Sequence, residues 1–332
     1  MVQYSILDLV PVTEGSSVAE AIAHSVAVAQ QAEALGYHRY WVAEHHNMRS
    51  IASSATSVLI GHIASQTQSI RVGSGGVMLP NHSPMVIAEQ FGTLETLYPG
   101  RIDLGLGRAP GTDQTTMRAL RRDINGSADQ FPQDVAELQA LVSDSSSLPY
   151  TATPGQGTNV PLYLLGSSLF SAQLAAKMGL PYAFAMHFAP KMMMQALELY
   201  RSLFEPSAVL AKPHVILGTN VFVADTKLKA QYQFSSLQQR FLGLLRGQQG
   251  GLLPPPIDDI TAVAAPHELM HMDSMLGASI VGDEAQVRHS IQALLAQTQA
   301  DELMVTAQMY DHQDRLANFA KIAEILQDGH KA

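Results

Sequence analysis

The sequence predicts a (β/α)8 barrel of the TIM type. Three apolar, strand-like runs each stop abruptly at polar or turn-forming residues, within 38–46, 70–84 and 102–111. A helix-like segment follows each run, and strand and helix patterns then alternate to the end of the chain. Polar residues at the carboxyl ends of parallel strands are typical of the catalytic face of such a barrel. We therefore expect the function to reside at that face.

The composition allows one large core and excludes several classes of function. The chain has 332 residues, of which 46% are hydrophobic and 15% charged, and its net charge is −9. Barrels routinely exceed about 250 residues, so we expect residues 1–332 to form one domain. No stretch concentrates Lys or Arg, which argues against nucleic-acid binding. Without a cysteine, a signal peptide or an apolar run of about 18 residues, the expected location is cytoplasmic and away from the membrane.

Local signals place the individual elements. The first strand is predicted at 2–9, and the helix after it opens with Ser17-x-x-Glu20, a capping box, and ends at Gly36. Eight continuous apolar strands favour a closed parallel barrel, although an open doubly wound sheet shows the same alternation. The other strands are predicted at 39–43, 70–78, 102–107, 162–165, 182–186, 215–223 and 302–306. The other helices are predicted at 55–65, 84–97, 115–122, 132–142, 168–178, from 190 onward, and at 227–245, 287–298 and 316–326.

One segment interrupts the alternation. Residues 246–277 come after strand 7 and begin with a run rich in Gly, Gln and Pro. Long irregular segments of this kind are often lids over an active site, or disordered. We therefore expect an insertion after strand 7 that serves as a lid.

Glu44-His45-His46 lies at the end of strand 2. Alternation in an extended segment points Glu44 and His46 to one side and His45 to the other. An imidazole titrates near pH 6.5, so His45 facing the cavity would suit a base or a hydrogen-bond donor. The alternative is a rim histidine paired with Glu44. The position at a strand end favours the first interpretation.

A metal site is disfavoured. Catalytic zinc typically has three protein ligands, and neither His-x-His nor His-Glu-x-x-His occurs here. Glu44 and His46 could supply two ligands, with His82 or His187 remote in sequence. We expect no bound metal.

Glycines and an arginine mark strands 3 and 4. Gly75 and Gly76 lie inside strand 3, where they indicate either close approach by a flat ligand or ordinary barrel packing. The run 104–111 contains a G-x-G, but the third glycine of a dinucleotide fingerprint is missing. Arg108, at the end of strand 4, has the fork of donors that suits a phosphate.

The turn from strand 5 into its helix could form an anion site. Ser167, Ser168 and Ser171 lie in this turn, where hydroxyl groups and free N–H groups meet the positive end of the helix dipole. Simple capping by Ser167 or Ser168 is the alternative. Because Arg108 comes from the neighbouring strand, the arginine and this turn could converge on one phosphate.

As an ordered set, these motifs resemble those of the bacterial-luciferase-like flavin monooxygenases, over essentially the whole chain. The resemblance rests on the runs 41–46, 73–80, 88–91, 99–108 and 165–168, and it is strongest for the short single-chain members. It implies a luciferase-like (β/α)8 barrel that binds FMN or coenzyme F420 at its carboxyl-terminal rim, and a homodimer.

The resemblance also implies roles for particular residues. His45 matches the catalytic histidine, Gly75 and Gly76 a pair joined by a non-proline cis peptide beneath the flavin, and Arg108 the phosphate-binding arginine. Residues 246–277 match a mobile lid. Gly107 stands where true luciferases have a reactive cysteine, so light emission is not implied. Ser167, Ser168 and Ser171 match the phosphate loop.

The leading hypothesis is an FMN-dependent monooxygenase. A separate reductase would supply reduced FMN, and O2 would oxygenate a small, largely apolar organic substrate while the lid excludes water. Three alternatives remain at this stage: F420-dependent hydride transfer, flavin binding without turnover, and metal-assisted hydrolysis near Glu44 and His46.

Overall fold

The structure, a computed structural model, confirms the predicted barrel. It describes residues 2–109, 114–120, 129–248 and 250–328. Eight parallel strands in these ranges pair in the order β1-β2-β3-β4-β5-β6-β7-β9, and β9 pairs again with β1. The strands are β1 Gln3–Asp8, β2 Arg39–Val42, β3 Arg71–Met78, β4 Ile102–Gly107, β5 Leu162–Gly166, β6 Tyr182–Ala185, β7 Val215–Val223, β8 Ile280–Gly282 and β9 Glu302–Thr306.

Helices follow the strands, and three of the predicted helix termini are confirmed in detail, the start of α1 and the ends of α1 and α6. Ser17 and Glu20 form the capping box, and Gly36 and Gly179 adopt the left-handed conformation that ends a helix. The helices are α1 Val18–Ala34, α2 Thr56–Ser65, α3 Pro84–Leu97, α4 Gln114–Leu120, α5 Phe131–Val142, α6 Leu169–Met178, α7 Met193–Ser202, α8 Lys227–Leu245, α9 Pro266–Leu276, α10 Glu284–Thr298 and α11 His312–Asp328. The predicted helix at 115–122 falls partly outside the described residues.

Strand β8 is not predicted from the sequence, because it is only three residues long. It pairs with the outer half of β7, at Val221–Val223, beyond the part of β7 that pairs with β9. The count of eight strands is therefore correct for the barrel, while β8 is an additional strand outside it.

The barrel interior is tightly packed. Trp41, 1% exposed, and Tyr163 meet edge to face with ring centroids 5.0 Å apart. Leu7, Ile216 and Met304 lie in the same interior cluster. Below the carboxyl-terminal face the barrel is thus a filled core, as expected for eight strands.

A buried ion network closes the amino-terminal end of the barrel. Arg39 Nη1 lies 2.8 Å from Asp103 Oδ2, and its Nε lies 2.9 Å from Glu302 Oε1. Burial disfavours the charged guanidinium, but the two carboxylates outweigh it and raise the pKa of Arg39. Tyr163 Oη and Trp41 Nε1 complete the hydrogen bonds of the network. These residues come from four different strands, so the network joins them inside the barrel.

The insertion after strand 7 contains a 3-10 turn at Ile260–Ala262 and helix α9. Leu253, fully buried, bridges to Thr13 in the loop after β1, which places the start of the segment at the carboxyl-terminal rim. Arg246 and Glu268 form an ion pair at 2.7 Å across the segment. The segment is thus partly helical and lies beside the mouth of the barrel.

Candidate functional site

The carboxyl ends of the strands form one mouth, and contacts between side chains connect neighbouring loops around it. Glu44 after β2 accepts a hydrogen bond from His82 after β3. Arg108 after β4 stacks on Phe170 after β5. Asn220 on β7 donates to the backbone carbonyl of the loop after β6. The expectation that polar groups from several strands meet at one face is therefore met by these contacts.

Glu44 anchors two of these loops. Its carboxylate, 2% exposed, accepts hydrogen bonds from His46 Nε2 at 2.9 Å, His82 Nε2 at 2.8 Å and the Met78 backbone N–H at 3.2 Å. Burial raises the pKa of a carboxyl group, but these hydrogen bonds outweigh burial and lower the pKa of Glu44 to about 2. Glu44 is therefore ionised at neutral pH and holds the ends of β2 and β3 together.

His45 projects away from this network, as alternation predicted. Its Nδ1 is buried and has no hydrogen-bond partner among the described residues. Burial lowers the pKa of His45 to about 4, so the ring is neutral at pH 7. A neutral imidazole offers one donor and one acceptor to a bound molecule. The pairing with Glu44 is made by His46 instead.

Arg108 lies beside the turn between β5 and α6. The guanidinium carbon is 4.1 Å from the ring centroid of Phe170, which lies between Ser168 and Ser171 in sequence. Within the described ranges, Arg108 takes part in no ion pair. Phe170 is the second residue of α6, so the guanidinium lies beside the amino terminus of that helix, and its convergence with the serines on one phosphate stays a prediction.

The serines of this turn are used differently from one another. Ser168 caps α6 by accepting from the Ser171 backbone N–H, and the Ser171 hydroxyl donates to the Ser168 carbonyl at 2.8 Å. Ser171 is buried and also contacts the hydroxyl of Tyr182. Ser167 makes no such contact in the described part of the chain. The capping interpretation therefore fits Ser168, and a direct phosphate contact for the three serines stays a prediction.

Gly75 and Gly76 are joined by a non-proline cis peptide, as the resemblance implied. A Cβ on Gly75 would lie 2.6 Å from Leu7 Cδ1, and one on Gly76 would lie 2.6 Å from the Gly105 carbonyl oxygen. Packing against the protein's own atoms thus requires both glycines. Contact of this pair with a ligand stays a prediction.

The structure brings together three groups that could hold a metal. Ligand atoms of Glu44, His46 and His82 lie within 4.8 Å of one another, so His82, remote in sequence, is near the pair considered above. Both ring nitrogens donate to the same carboxylate oxygen, and the Met78 N–H occupies the other. These hydrogen bonds satisfy the carboxylate within the protein, and the absence of a bound metal stays a prediction.

Two histidines of the mouth had no clear signal in the sequence. His82 and His187 are remote in sequence from the residues that they meet: His82 binds Glu44, and His187 lies against Gly218 on β7. Each is a single histidine just beyond a strand, and its neighbour comes from a different strand. Only the three-dimensional arrangement identifies them.

Fold and mouth together define a barrel enzyme of the luciferase-like type, and the comparisons agree. The chain belongs to the luciferase-like monooxygenase family, whose model matches residues 2–302. It is therefore an oxidoreductase. Among the residues that the structure describes, no helix has the length and apolar character needed to cross a membrane.

Two relatives and a solved structure match most or nearly all of the chain. The chain is 55% identical over 328 residues to a luciferase-like monooxygenase of Escherichia coli strain K12, and the alignment covers 98% of each chain. It is 40% identical over 238 residues to the N-acetyl-S-alkylcysteine monooxygenase of Bacillus subtilis strain 168, and this alignment covers 70% of each chain. The crystal structure of apo-MsnO8 superposes with a TM-score of 0.88 at 35% identity, covering 98% of this chain and 99% of the other.

Proposed function

We propose that this protein is an FMN-dependent monooxygenase that oxygenates a small, largely apolar organic substrate with O2. Reduced FMN, when bound, supplies the electrons that activate O2. The observation that carries the proposal is the arrangement at the mouth: Arg108 beside the amino terminus of α6 on one side, and the unpartnered imidazole of His45 on another.

The residues present fit a flavin mononucleotide. A guanidinium next to a helix amino terminus suits a phosphate, because both the charge and the free N–H groups favour an anion. Burial leaves the Nδ1 of His45 without a partner, and a buried polar atom of this kind needs a ligand or water to satisfy it. In this proposal, Arg108 with the turn at Ser167, Ser168 and Ser171 holds the phosphate, and Gly75 and Gly76 lie beneath the ring.

His45 is proposed as the residue that donates or accepts a proton at the reacting edge. With a pKa of about 4 it is neutral at pH 7, so it can take up a proton without first losing one. Residues 246–277 would act as the lid that excludes water, since they lie along the rim through Leu253. A separate reductase would supply the reduced cofactor, and the cytoplasm and a homodimer are the proposed setting.

The substrate class is proposed from the mouth and from one relative. The interior cluster beneath the mouth is apolar, and the partly buried Met48 and Leu165 pack against it, which favours an apolar substrate body. The Bacillus relative acts on N-acetyl-S-alkylcysteine, so an S-alkylated thioether of that type is the first substrate to assay.

Cofactor binding tests the proposal. Oxidised FMN, riboflavin and F420 are titrated separately into the purified protein, and binding is followed by absorbance and fluorescence. We expect FMN to bind about 10-fold or more tightly than riboflavin, since only FMN presents a phosphate to Arg108. Tighter binding of F420 than of FMN would favour hydride transfer instead, and no binding of any of the three would contradict the proposal.

A matched pair of variants locates the phosphate. Arg108→Ala should abolish the preference for FMN over riboflavin while leaving riboflavin binding unchanged. Lys212→Ala removes the same charge from an exposed position just before β7, at the opposite end of the barrel, and should change neither affinity. Equal effects of the two substitutions on FMN affinity would show that binding depends on net charge alone, and would contradict a phosphate contact with Arg108.

A further inference from the structure

His187 lies inside the mouth, on the inner face of β7. Ile216 on β7 belongs to the interior cluster, so Gly218, two residues later, faces the interior as well. A Cβ on Gly218 would lie 2.9 Å from His187 Nδ1 and 3.4 Å from its Cε1. The imidazole therefore occupies the space that a side chain at position 218 would need.

The rings of His187 and His45 approach from opposite sides of the barrel. β6 and β2 are separated by three strands in either direction around the barrel, which makes them opposite. His187 follows β6, and His45 follows β2 on the inward-facing side shared by Trp41 and Ala43. Burial lowers the pKa of His187, and a charge on His45 lowers it further.

One nitrogen of each ring has no hydrogen-bond partner, although the backbone of His187 is fixed by hydrogen bonds. The Nδ1 atoms of His45 and His187 are buried without a hydrogen-bond partner in the ranges described. By contrast, Asn220 Nδ2 donates to the His187 carbonyl at 2.6 Å and to Ser279 Oγ at 3.1 Å. A fixed backbone that carries a ring with one buried, unpaired nitrogen suits a preorganised binding group, because an unpaired buried polar atom is otherwise costly.

We propose that His187 is a second cofactor-contacting residue, and that a bound flavin ring rests over both imidazoles and hydrogen-bonds to each. The inference rests on the proposed function, because it takes the bound molecule to be a flavin. A neutral imidazole offers one N–H donor and one lone pair, which complements the alternating carbonyl and N–H groups along a flavin's edge. Gly218 is then the residue that makes room for this second ring.

The direct test is histidine NMR of the full-length protein with oxidised FMN as the probe. Ring signals of His45 and His187 are assigned by their loss in His45→Gln and His187→Gln, and exposed His289 on α10 serves as the reference. We expect the His45 and His187 signals to shift together, at the same FMN concentration, while the His289 signal stays constant.

Affinity measurements provide the second readout. His187→Leu should weaken oxidised FMN binding about 5- to 10-fold, the effect of one lost hydrogen bond, and His187→Gln should recover most of the affinity. Gly218→Ala should have a similar effect, because its Cβ displaces the ring. His289→Leu is the matched control and should leave the affinity unchanged.

The outcomes separate this inference from the proposed function. If FMN shifts the His45 signal and not that of His187, the inference is wrong and the proposed function stands. If FMN binds without moving either signal, the placement of both rings at the cofactor is wrong. If FMN does not bind at all, the proposed function fails. If one of the glutamine variants fails to fold, so that its signal is not assigned, the FMN affinity of Gly218→Ala decides: an unchanged affinity would contradict the inference.

Discussion

The substitution Glu44→Gln tests whether the mouth is built around a buried, ionised carboxylate. Glu44 accepts three hydrogen bonds and is 2% exposed. Glutamine keeps the shape and can still accept from His46 and His82 through one oxygen. Its amide nitrogen, however, would face the Met78 backbone N–H, which places a donor against a donor. The variant therefore removes a charge and one hydrogen bond with almost no change in volume.

The magnitude follows from the pKa. Lowering the pKa of Glu44 from 4.5 to about 2 corresponds to about 3 kcal/mol of free energy of unfolding at pH 7. Because the pKa is lower in the folded state, this contribution is complete well above pH 4.5 and is lost as the pH falls toward 2. We therefore expect Glu44→Gln to be about 3 kcal/mol less stable at pH 7, and the deficit to narrow by about 1 kcal/mol at pH 4.

Urea unfolding followed by circular dichroism measures this deficit at both pH values. Glu324→Gln, on the exposed face of α11, is the matched control and should stay within about 0.5 kcal/mol of wild type. A deficit below about 1 kcal/mol for Glu44→Gln at pH 7, or one that grows on acidification, would refute the reasoning.

Two further predictions concern buried charge and pH. Arg39→Met removes the guanidinium from the buried carboxylate of Glu302, while Asp103 keeps its ion pair with Arg71, and should cost about 3–5 kcal/mol in urea unfolding. Lys177→Met breaks the exposed pair with Glu205 and should cost at most about 1 kcal/mol. Equal costs would contradict the first prediction. The pKa of His45 is lower in the folded state than in the unfolded state, so the unfolded chain takes up a proton first as the pH falls. We therefore expect the wild-type protein to lose up to about 3 kcal/mol of stability relative to His45→Gln between pH 7 and pH 4. A difference in stability that does not vary with pH would show that the ring is not buried in solution.

Much of the fold could be predicted because its signals are local. Apolar runs, the capping box at Ser17 and the glycine stops gave element bounds that mostly agree with the structure within one or two residues, and β4, β7 and α8 agree at both ends. β8 was missed because three residues between two helices show no periodicity. Its pairing with the outer half of β7 depends on how far β7 extends beyond the barrel.

The site was predicted only in part, because residues from different strands complete it. His45 and Arg108 stand at strand ends, where a general property of barrels identifies them. The position of the His187 ring depends on the absence of a side chain at Gly218, which lies on another strand. No sequence pattern near position 187 predicts that contact. The buried network at Arg39 did leave a signal that was not used: Asp103, a carboxylate inside an apolar strand.

A crystal structure of the protein soaked with oxidised FMN tests the central proposal most directly. We predict the phosphate within hydrogen-bond distance of Arg108 and the first turn of α6, and the ring over His45 inside the mouth. A flavin bound elsewhere on the protein, or a phosphate that lies away from Arg108 while the ring enters the mouth, would contradict the assignment.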